Sequence, residues 1–272
     1  MIPIQFVSLG PGDPEMLTLK ACRVLRQADV ILLPAILRSD GTCTSRAYDI
    51  LQEAALFPLP GNVEGKDESG SFSPQFHGED QKQHQQPATP TTDEGAASYP
   101  LLRLYPLPMQ ADRSAAKAVY ERMKTDACHW QREGKRVVIG VEGDISIYAS
   151  VHYLLDQLSV EGIATGQIEG IPSFIASAAA AGLSLVSGSQ RLVVVPGNLQ
   201  ETEMETMLAS GHVVVVMKLS QCEAAMKAFM RAHPDHEYHY FENTGSPKAR
   251  HLTSQATILD VRFPYFSQLI VK

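Results

Sequence analysis

The chain has 272 residues, of which 44% are hydrophobic and 19% are charged, and its formal net charge is −7. These proportions are ordinary for a soluble globular protein with one large domain or two modest ones. The acidic balance argues against a sequence-independent grip on nucleic acid, which needs clustered lysine and arginine. No apolar run approaches the roughly 20 residues of a membrane-spanning helix. We therefore expect neither a nucleic-acid nor a membrane partner.

The four cysteines are far apart in the sequence, and none of them forms a CxxC pair. This spacing favours reduced thiols over a disulfide framework or a zinc site. The first residues read as a strand without a basic leader, so we expect a cytoplasmic protein.

Short β-branched runs alternate with helical segments, a pattern that predicts an α/β fold. We expect two α/β lobes, residues 1–162 and 163–272, with mixed, largely parallel sheets and a ligand cleft between them. The first lobe is predicted to have strands at 4–9, 30–33 and 136–141, and helices at 14–28, 112–133 and 146–158. The second is predicted to have strands at 165–169, 191–195, 212–217, 237–241 and 268–271, and helices at 172–182, 201–210 and 221–232.

The segment at 61–99 interrupts this alternation, because it is rich in Gly, Ser, Gln, Glu, Pro and Thr and poor in large apolar groups. Such a composition buries too little apolar surface to offset the entropy of ordering the chain. We predict a disordered surface insertion. The alternative is a loop that becomes ordered over a substrate cleft.

The most informative motif is VSLGPGDPEMLTLKA at 7–21, which places a Gly-Pro-Gly turn after the first strand. Glycines at this position permit a tight turn and a close approach of the backbone to a ligand. The motif lacks the third glycine of the dinucleotide fingerprint and the Gly-Lys-Ser/Thr of a Walker loop. These absences disfavour a nucleotide-binding oxidoreductase.

The whole string at 7–21 resembles the N-terminal signature of the tetrapyrrole methylase family. Further segments resemble later family motifs in the same order: 137–158, 168–185, 213–219 and 240–252. Two departures are that Ile145 stands where the family has proline, and that Pro172 is shifted within its motif. Three features narrow the resemblance within the family: the helix start at 145–158, the LYPLPM segment at 104–109 followed by Asp112 and Arg113, and the small-residue helix at 173–183. They most resemble the family members that methylate carbon 20 of precorrin-2 or cobalt-factor II.

The resemblance implies that S-adenosylmethionine is the methyl donor, that a tetrapyrrole is the substrate and that the chain forms a homodimer. It also implies that the donor lies folded in the cleft, with its amino-acid part at the EGD turn and its adenine near the MKL segment. The residues implied as donor contacts are Pro11, Glu142, Gly143, Asp144, Ile147, Tyr148, Ser173, Phe174, Met217, Lys218, Leu219, Thr244 and Leu252. Several of these also fit ordinary structural roles, such as a helix N-cap at Asp144 or core packing at Met217.

No residue is singled out as a catalytic base, and proton loss to water is an equal alternative. The side chains that could accept a proton are Glu142, Tyr148, His152 and Glu242. Precorrin-type substrates carry many carboxylates, which basic groups at the mouth of a cleft would bind. The candidates are Arg38, Arg46, Lys218 and Arg250.

His233, His236 and His239 are spaced by three residues, which suggests a metal site at first sight. Pro234 lies between them and the segment runs into a strand, so their side chains need not converge. We therefore expect no metal site.

Two other functions fit the same motifs. One is a different methylation on the same fold, as in uroporphyrinogen-III methyltransferases or diphthine synthase. The other, of a different class, is a non-catalytic module that binds S-adenosylmethionine.

Overall fold

The computed structural model describes residues 1–38, 41–57, 99–108 and 114–272. The predicted insertion at 61–99 lies outside the described residues, apart from Tyr99. The chain divides into two compact units. The first comprises Met1–Val7, Leu19–Val141 and Ser150–Ile168, and the second comprises Ser8–Thr18, Glu142–Ala149 and Glu169–Lys272. Gly162 falls inside the first unit in this division, and the domain boundary placed there from the sequence stays a prediction.

The first unit is built on a six-stranded sheet in the order β3-β2-β5-β1-β6, with β4 also paired to β2. Its strands are β1 (Ile4–Ser8), β2 (Val30–Leu37), β3 (Cys43–Thr44), β4 (Leu101–Pro108), β5 (Val137–Val141) and β6 (Thr165–Ile168). Strand β2 runs parallel to β4 and β5, and β1 runs parallel to β6. Strand β3 is antiparallel to β2.

Strands β2 and β5 in the middle of this sheet are continuous apolar runs, as expected for parallel strands that are buried on both faces. Every residue of β5 is buried, and the first four residues of β2 are buried as well. The helices of the first unit are α1 (Leu19–Arg26), α2 (Arg46–Ala54), α3 (Ser114–Arg132) and α4 (His152–Val160). Helix α2 begins after Ser45, whose hydroxyl accepts a hydrogen bond from the N–H of Tyr48.

The second unit contains a five-stranded sheet in the order β10-β9-β11-β8-β7. Its strands are β7 (Arg191–Val195), β8 (His212–Met217), β9 (Tyr238–Glu242), β10 (Arg250–Leu252) and β11 (Ser267–Val271). Its helices are α5 (Ser173–Ala180), α6 (Glu201–Ala209), α7 (Glu223–Ala232) and α8 (Gln255–Asp260). Strands β7 and β8 are parallel, whereas the other three pairings are antiparallel.

Alternate residues of β8 belong to two different apolar clusters, one on each face of this sheet. Val214 and Val216 join the cluster that includes Phe229, which we call the α7-side cluster. Val213 and Val215 join the cluster that includes Phe174, which we call the α5-side cluster. Period-two burial along β8 therefore gives the second unit two cores.

The predicted α/β fold with mixed sheets is confirmed, although parallel pairing prevails only in the first sheet.

The predicted helix at 14–28 is wrong in its first part. A 3-10 turn spans Pro14–Met16, Leu17 is extended, and α1 starts at Leu19. The predicted helix at 146–158 starts only at His152, because Tyr148 adopts a left-handed conformation with φ of 49°. Asp144 is therefore not the N-cap of that helix.

The sequence-based prediction omitted five elements, namely β3, α2, β4, β10 and α8. No helix among the described residues has both the length and the apolar character needed to cross a membrane.

Candidate functional site

Backbone turns from distant parts of the sequence meet within the second unit. Gly10 and Gly143 exchange two backbone hydrogen bonds, of 3.1 Å from the N–H of Gly10 and 2.7 Å from the N–H of Gly143. The Gly-Pro-Gly turn and the EGD turn are therefore joined directly. Sequence motifs more than a hundred residues apart form one structure here, as expected when family motifs line a common site.

Two further glycines are required where these turns cross other segments. A Cβ on Gly170 would lie 2.4 Å from the Cβ of Ser8 and 2.8 Å from the carbonyl oxygen of Gly143. A Cβ on Gly245 would lie 2.7 Å from the backbone nitrogen of Asp13, and its φ of 76° also disfavours a side chain. Backbone thus packs directly against backbone, so the N–H and C=O groups of these turns hold fixed positions.

The Asp144 carboxylate ties the EGD turn to the strand exit at Gly170. It is buried, and it accepts hydrogen bonds from the N–H of Gly170 at 2.7 Å and from the N–H of Ser146 at 2.9 Å. The Ser146 hydroxyl is a third donor to it. Burial on its own raises the pKa of Asp144, but the Ser146 and Gly170 donors outweigh it and hold that pKa below its usual value. The ionised Asp144 carboxylate therefore holds the EGD turn in its conformation.

Ser8, which sequence reasoning missed, fastens the same turn from the other side. Its fully buried hydroxyl accepts a 3.0 Å hydrogen bond from the N–H of Ile145. Ile145 is the residue that stands in place of the usual proline, and proline has no N–H to donate. The substitution therefore adds a hydrogen bond to the turn.

Tyr148 and Lys218 both adopt left-handed backbone conformations, with φ of 49° and 54°. Such conformations are costly for residues with a Cβ and persist only where the surroundings hold them. The Lys218 ammonium donates to the carbonyl oxygen of Tyr148 at 3.3 Å, and the Tyr148 hydroxyl donates to the carbonyl oxygen of Val194 at 2.8 Å. The two predicted donor contacts are thus adjacent and hold each other in place.

Ser173 and Thr244 are connected by a buried chain of hydrogen bonds, which we call the Gln268 network. It consists of Ser173, Gln268, Ser177 and Thr244. The Ser173 hydroxyl donates to Oε1 of Gln268 at 2.9 Å, and Nε2 of Gln268 donates to the Ser177 hydroxyl at 2.5 Å. Ser177 and Thr244 share a 2.7 Å hydroxyl–hydroxyl bond. Neither Ser177 nor Gln268 was predicted as a site residue, although Ser177 lies in the segment at 168–185 that resembles a family motif.

The predicted apolar contacts fall into two groups. Ile147, Phe174 and Met217 all belong to or pack on the α5-side cluster, so the structure brings these three together. Leu219 is fully buried in the α7-side cluster, and Leu252 packs against that same cluster. Leu219 therefore presents no exposed surface to a ligand in this structure.

Pro11 is buried, and Glu142 is half-buried beside Gly143. Tyr265, which the sequence did not single out, lies close enough to Glu142 to be affected by its charge. Desolvation and that charge raise the pKa of the Tyr265 hydroxyl. The phenol is accordingly a neutral hydrogen-bond donor at physiological pH.

Two of the candidates for proton or carboxylate chemistry contact one another. Glu242 accepts a 2.5 Å hydrogen bond from the Tyr240 hydroxyl, and its other oxygen lies 3.4 Å from a guanidinium nitrogen of Arg250. Burial, with Glu242 as a further cause, raises the pKa of Tyr240. His152, Arg38 and Arg46 belong to the first unit.

In the HPDHEYH segment, His233 and His236 both stack on Phe229, but His233 and His239 have different hydrogen-bond partners. His233 lies 3.1 Å from a carboxylate oxygen of Glu205, whereas His239 contacts His251 at 3.1 Å and Glu237 at 2.7 Å. Among the described residues, the group with metal-ligand spacing is Glu201, Glu205 and His233, whose ligand atoms lie within 4.8 Å of one another. Exposed acidic groups commonly cluster without an ion. The absence of a metal site stays a prediction.

Comparison with known proteins identifies the family. The sequence profile described as Tetrapyrrole (Corrin/Porphyrin) Methylases matches residues 3–259, which is most of the chain. The chain belongs to this family. The resemblance inferred from the motifs is thereby confirmed.

Two relatives illustrate where this methylase lies within the family. A precorrin-2 C(20)-methyltransferase from Sinorhizobium sp is 27% identical over 272 residues, covering 97% of this chain and 93% of that protein. A probable cobalt-precorrin-2 C(20)-methyltransferase from Methanocaldococcus jannaschii is 24% identical over 212 residues, covering 78% of this chain and 70% of its own.

The methylase fold is also found in a solved structure. A uroporphyrin-III C-methyl transferase from Thermus thermophilus, complexed with S-adenyl homocysteine, matches with a TM-score of 0.58 and 16% identity. The match covers 99% of this chain and 96% of that chain. At this identity the likeness establishes the fold and no more.

Proposed function

We propose that this methylase transfers a methyl group from S-adenosylmethionine to carbon 20 of precorrin-2 or of its cobalt-containing counterpart. The observation that carries the proposal is the nearly full-length similarity to a precorrin-2 C(20)-methyltransferase. The structural relative solved with S-adenyl homocysteine, the demethylated donor, supports the choice of donor. The joined Gly-Pro-Gly and EGD turns support a ligand site in the second unit.

In this proposal the donor lies against the turns of the second unit. Pro11, Glu142, Gly143 and Asp144 are the proposed contacts on these turns. The Asp144 carboxylate also accepts from Gly170 and Ser146, which fixes the turn. The remaining proposed contacts divide by chemistry. Ile147, Phe174 and Met217 are apolar; Tyr148, Lys218, Ser173 and Thr244 are polar; and Leu219 and Leu252 lie with the α7-side cluster.

Methyl transfer is an in-line displacement at the methyl carbon. The electron-rich carbon 20 attacks that methyl group and forms a carbon–carbon bond as the S–CH₃ bond breaks. The bonding pair stays on sulfur, which becomes the neutral thioether of S-adenosylhomocysteine, and carbon 20 then loses its proton. The protein's task is to orient the two reactants and exclude water, and such orientation contributes about 7–11 kcal/mol in the best model systems.

The proton acceptor stays unassigned among Glu142, Tyr148, His152, Glu242 and water. Glu242 is already engaged by Tyr240 and Arg250, which lowers its availability as a base. The same proposal includes a homodimer in the cytoplasm, in line with the family resemblance. Sedimentation velocity would test the oligomeric state.

Mass spectrometry of reactions with S-adenosylmethionine tests the proposal. Precorrin-2, cobalt-factor II and uroporphyrinogen III are supplied in parallel. We expect the addition of one methyl group to precorrin-2 or cobalt-factor II, located at carbon 20 by NMR. Methylation of uroporphyrinogen III alone would contradict the substrate assignment. Binding of donor by calorimetry, with no tetrapyrrole methylated, would instead support a non-catalytic binding module.

A further inference from the structure

Gln268 is a buried polar residue on the face of the second sheet that carries the α5-side cluster. Its register partners on the neighbouring strands are Met217 of β8 and Phe241 of β9. Its side chain is 4% exposed. Burying an amide among such neighbours is unfavourable unless its oxygen and nitrogen are both hydrogen-bonded.

Both ends of the Gln268 amide do have partners, and both partners lie on helix α5. The oxygen accepts from Ser173 at 2.9 Å, and the nitrogen donates to Ser177 at 2.5 Å. Ser177 is fully buried, whereas Ser173 at the start of the helix is half-buried. The amide thus links strand β11 to the start of α5, which carries the proposed donor contacts Ser173 and Phe174.

The direction of these bonds constrains what Ser173 can do. A serine hydroxyl has one proton and two lone pairs. The single Ser173 proton is used in the bond to Gln268, so only lone pairs are left to face a ligand. Ser173 is therefore a hydrogen-bond acceptor toward any bound molecule.

We infer that Gln268 is a positioning residue that presents Ser173 as an acceptor to an N–H or O–H group of S-adenosylmethionine. The inference rests on the proposed function, because it takes Ser173 to be a donor contact. The matching groups on the cosubstrate are its ammonium, its ribose hydroxyls and its adenine amine. Gln268 itself does not need to touch the ligand. Without it, the Ser173 proton is free to turn toward the ligand and oppose the ligand's own donor.

The test compares two substitutions that separate hydrogen bonding from stability. Gln268→Met keeps the length and matches the neighbouring Met217, but it removes the acceptor for Ser173. Gln268→Glu retains that acceptor whether its carboxyl group is protonated or ionised, although a buried carboxyl group destabilises the fold. We expect Gln268→Met to weaken S-adenosylhomocysteine binding about tenfold by calorimetry. We expect Gln268→Glu to bind within about threefold of wild type while having the lower melting temperature.

This opposite ordering of affinity and stability is the result that a purely structural role would not give. Binding by Gln268→Met at the wild-type level, or weaker binding by Gln268→Glu than by Gln268→Met, would overturn the inference. A double-mutant cycle with Ser173→Ala gives a second test that does not depend on the folding of Gln268→Glu. Because Gln268 acts through Ser173, the double variant should bind about as well as Ser173→Ala alone. Additive losses would contradict this.

The wild-type titration separates this inference from the proposed function. If wild type does not bind S-adenosylhomocysteine at all, the proposed function fails and the inference fails with it. If wild type binds and methylates while the Gln268 variants bind equally well, the inference alone fails.

Discussion

The two units use buried polar side chains in different ways. In the first unit, the buried polar side chains among the described residues are Ser45 and Gln131. Each donates to a backbone carbonyl, Ser45 to Pro34 at 2.8 Å and Gln131 to Ile2 at 2.7 Å. In the second unit, the described residues in this class are Ser8, Asp144, Ser177, His239, Ser267 and Gln268. Asp144, Ser177, His239 and Gln268 each bond to at least one other side chain.

This difference separates scaffold from site. A buried network of polar groups is unfavourable when some members lack hydrogen-bond partners, and it fixes the geometry when all of them have partners. A fold that needs only stability gains little from such a network. We infer that the second unit carries them because ligand contacts must be held at defined positions. Losing a polar group there should impair methyl transfer more than stability, whereas the first unit should respond in stability alone.

The largest effect is expected for Asp144→Ala. The change leaves the N–H of Gly170 without its acceptor and frees the EGD turn, which should reduce methyl transfer about 100-fold, as for a misplaced reactant. The free energy of unfolding should fall by about 1–3 kcal/mol. Steady-state methylation and urea denaturation measure the two effects. Asp144→Asn keeps one acceptor oxygen, so its turnover and stability should lie between those of wild type and those of Asp144→Ala. Wild-type turnover by Asp144→Ala would refute the role of this turn.

A smaller effect is expected for Gly245→Ala, for which the chain offers a matched control. Gly245 and Gly211 have φ values of 76° and 75°, but a Cβ on Gly211 would have nothing within 4 Å. Both substitutions should cost about 1 kcal/mol of stability for the left-handed backbone. Only Gly245→Ala also displaces the turn at Asp13, and we expect it to lower methyl transfer about tenfold. Equal turnover in the two variants would contradict the close packing of these turns.

The smallest effect is expected in the first unit, at the ion pair of Asp29 and Arg136. Two guanidinium nitrogens of Arg136 lie 2.8 and 3.1 Å from the Asp29 carboxylate. Hydrogen bonding from Arg136 lowers the pKa of Asp29 to about 2. Because the pair is partly exposed, Asp29→Asn should cost only about 1 kcal/mol at pH 7, with methyl transfer unchanged.

The pH dependence gives this last prediction a sign. A depressed carboxyl pKa stabilises the folded state above the unfolded value near 4, and the stabilisation is lost as pH falls toward 2. The difference in melting temperature between wild type and Asp29→Asn should therefore be constant from pH 7 to about pH 5 and then shrink in more acidic solution. A difference that grows on acidification would contradict the assignment.

The strands whose bounds were predicted correctly are those with continuous β-branched runs. Strands β7 and β8 occupy the predicted residues 191–195 and 212–217, because β-branched runs are unambiguous there. Helix α4 starts later than predicted because the conformation of Tyr148 is set by tertiary contacts with Val194 and Lys218. The helix propensity of the local sequence contains no information about those contacts.

The parts of the candidate site that could be predicted are the backbone turns with a recognisable sequence motif. Gly10, Gly143 and Asp144 lie in turns of this kind, and backbone hydrogen bonds connect the two turns. Ser8 and Gln268 were missed because a serine or glutamine in a strand carries no local sign of its partner. The partner of Ser8 is 137 residues away, and that of Gln268 is 91 residues away.

The second unit is assembled from three stretches of chain, Ser8–Thr18, Glu142–Ala149 and Glu169–Lys272. A single proteolytic cut or truncation therefore cannot excise the candidate site, because residues 169–272 alone lack both early turns. During synthesis on the ribosome, those turns emerge long before strand β11, which completes the Gln268 network. Competence to bind a ligand should accordingly arise only after strand β11 has been synthesised, and co-expressed fragments should recover it only when together they supply all three stretches.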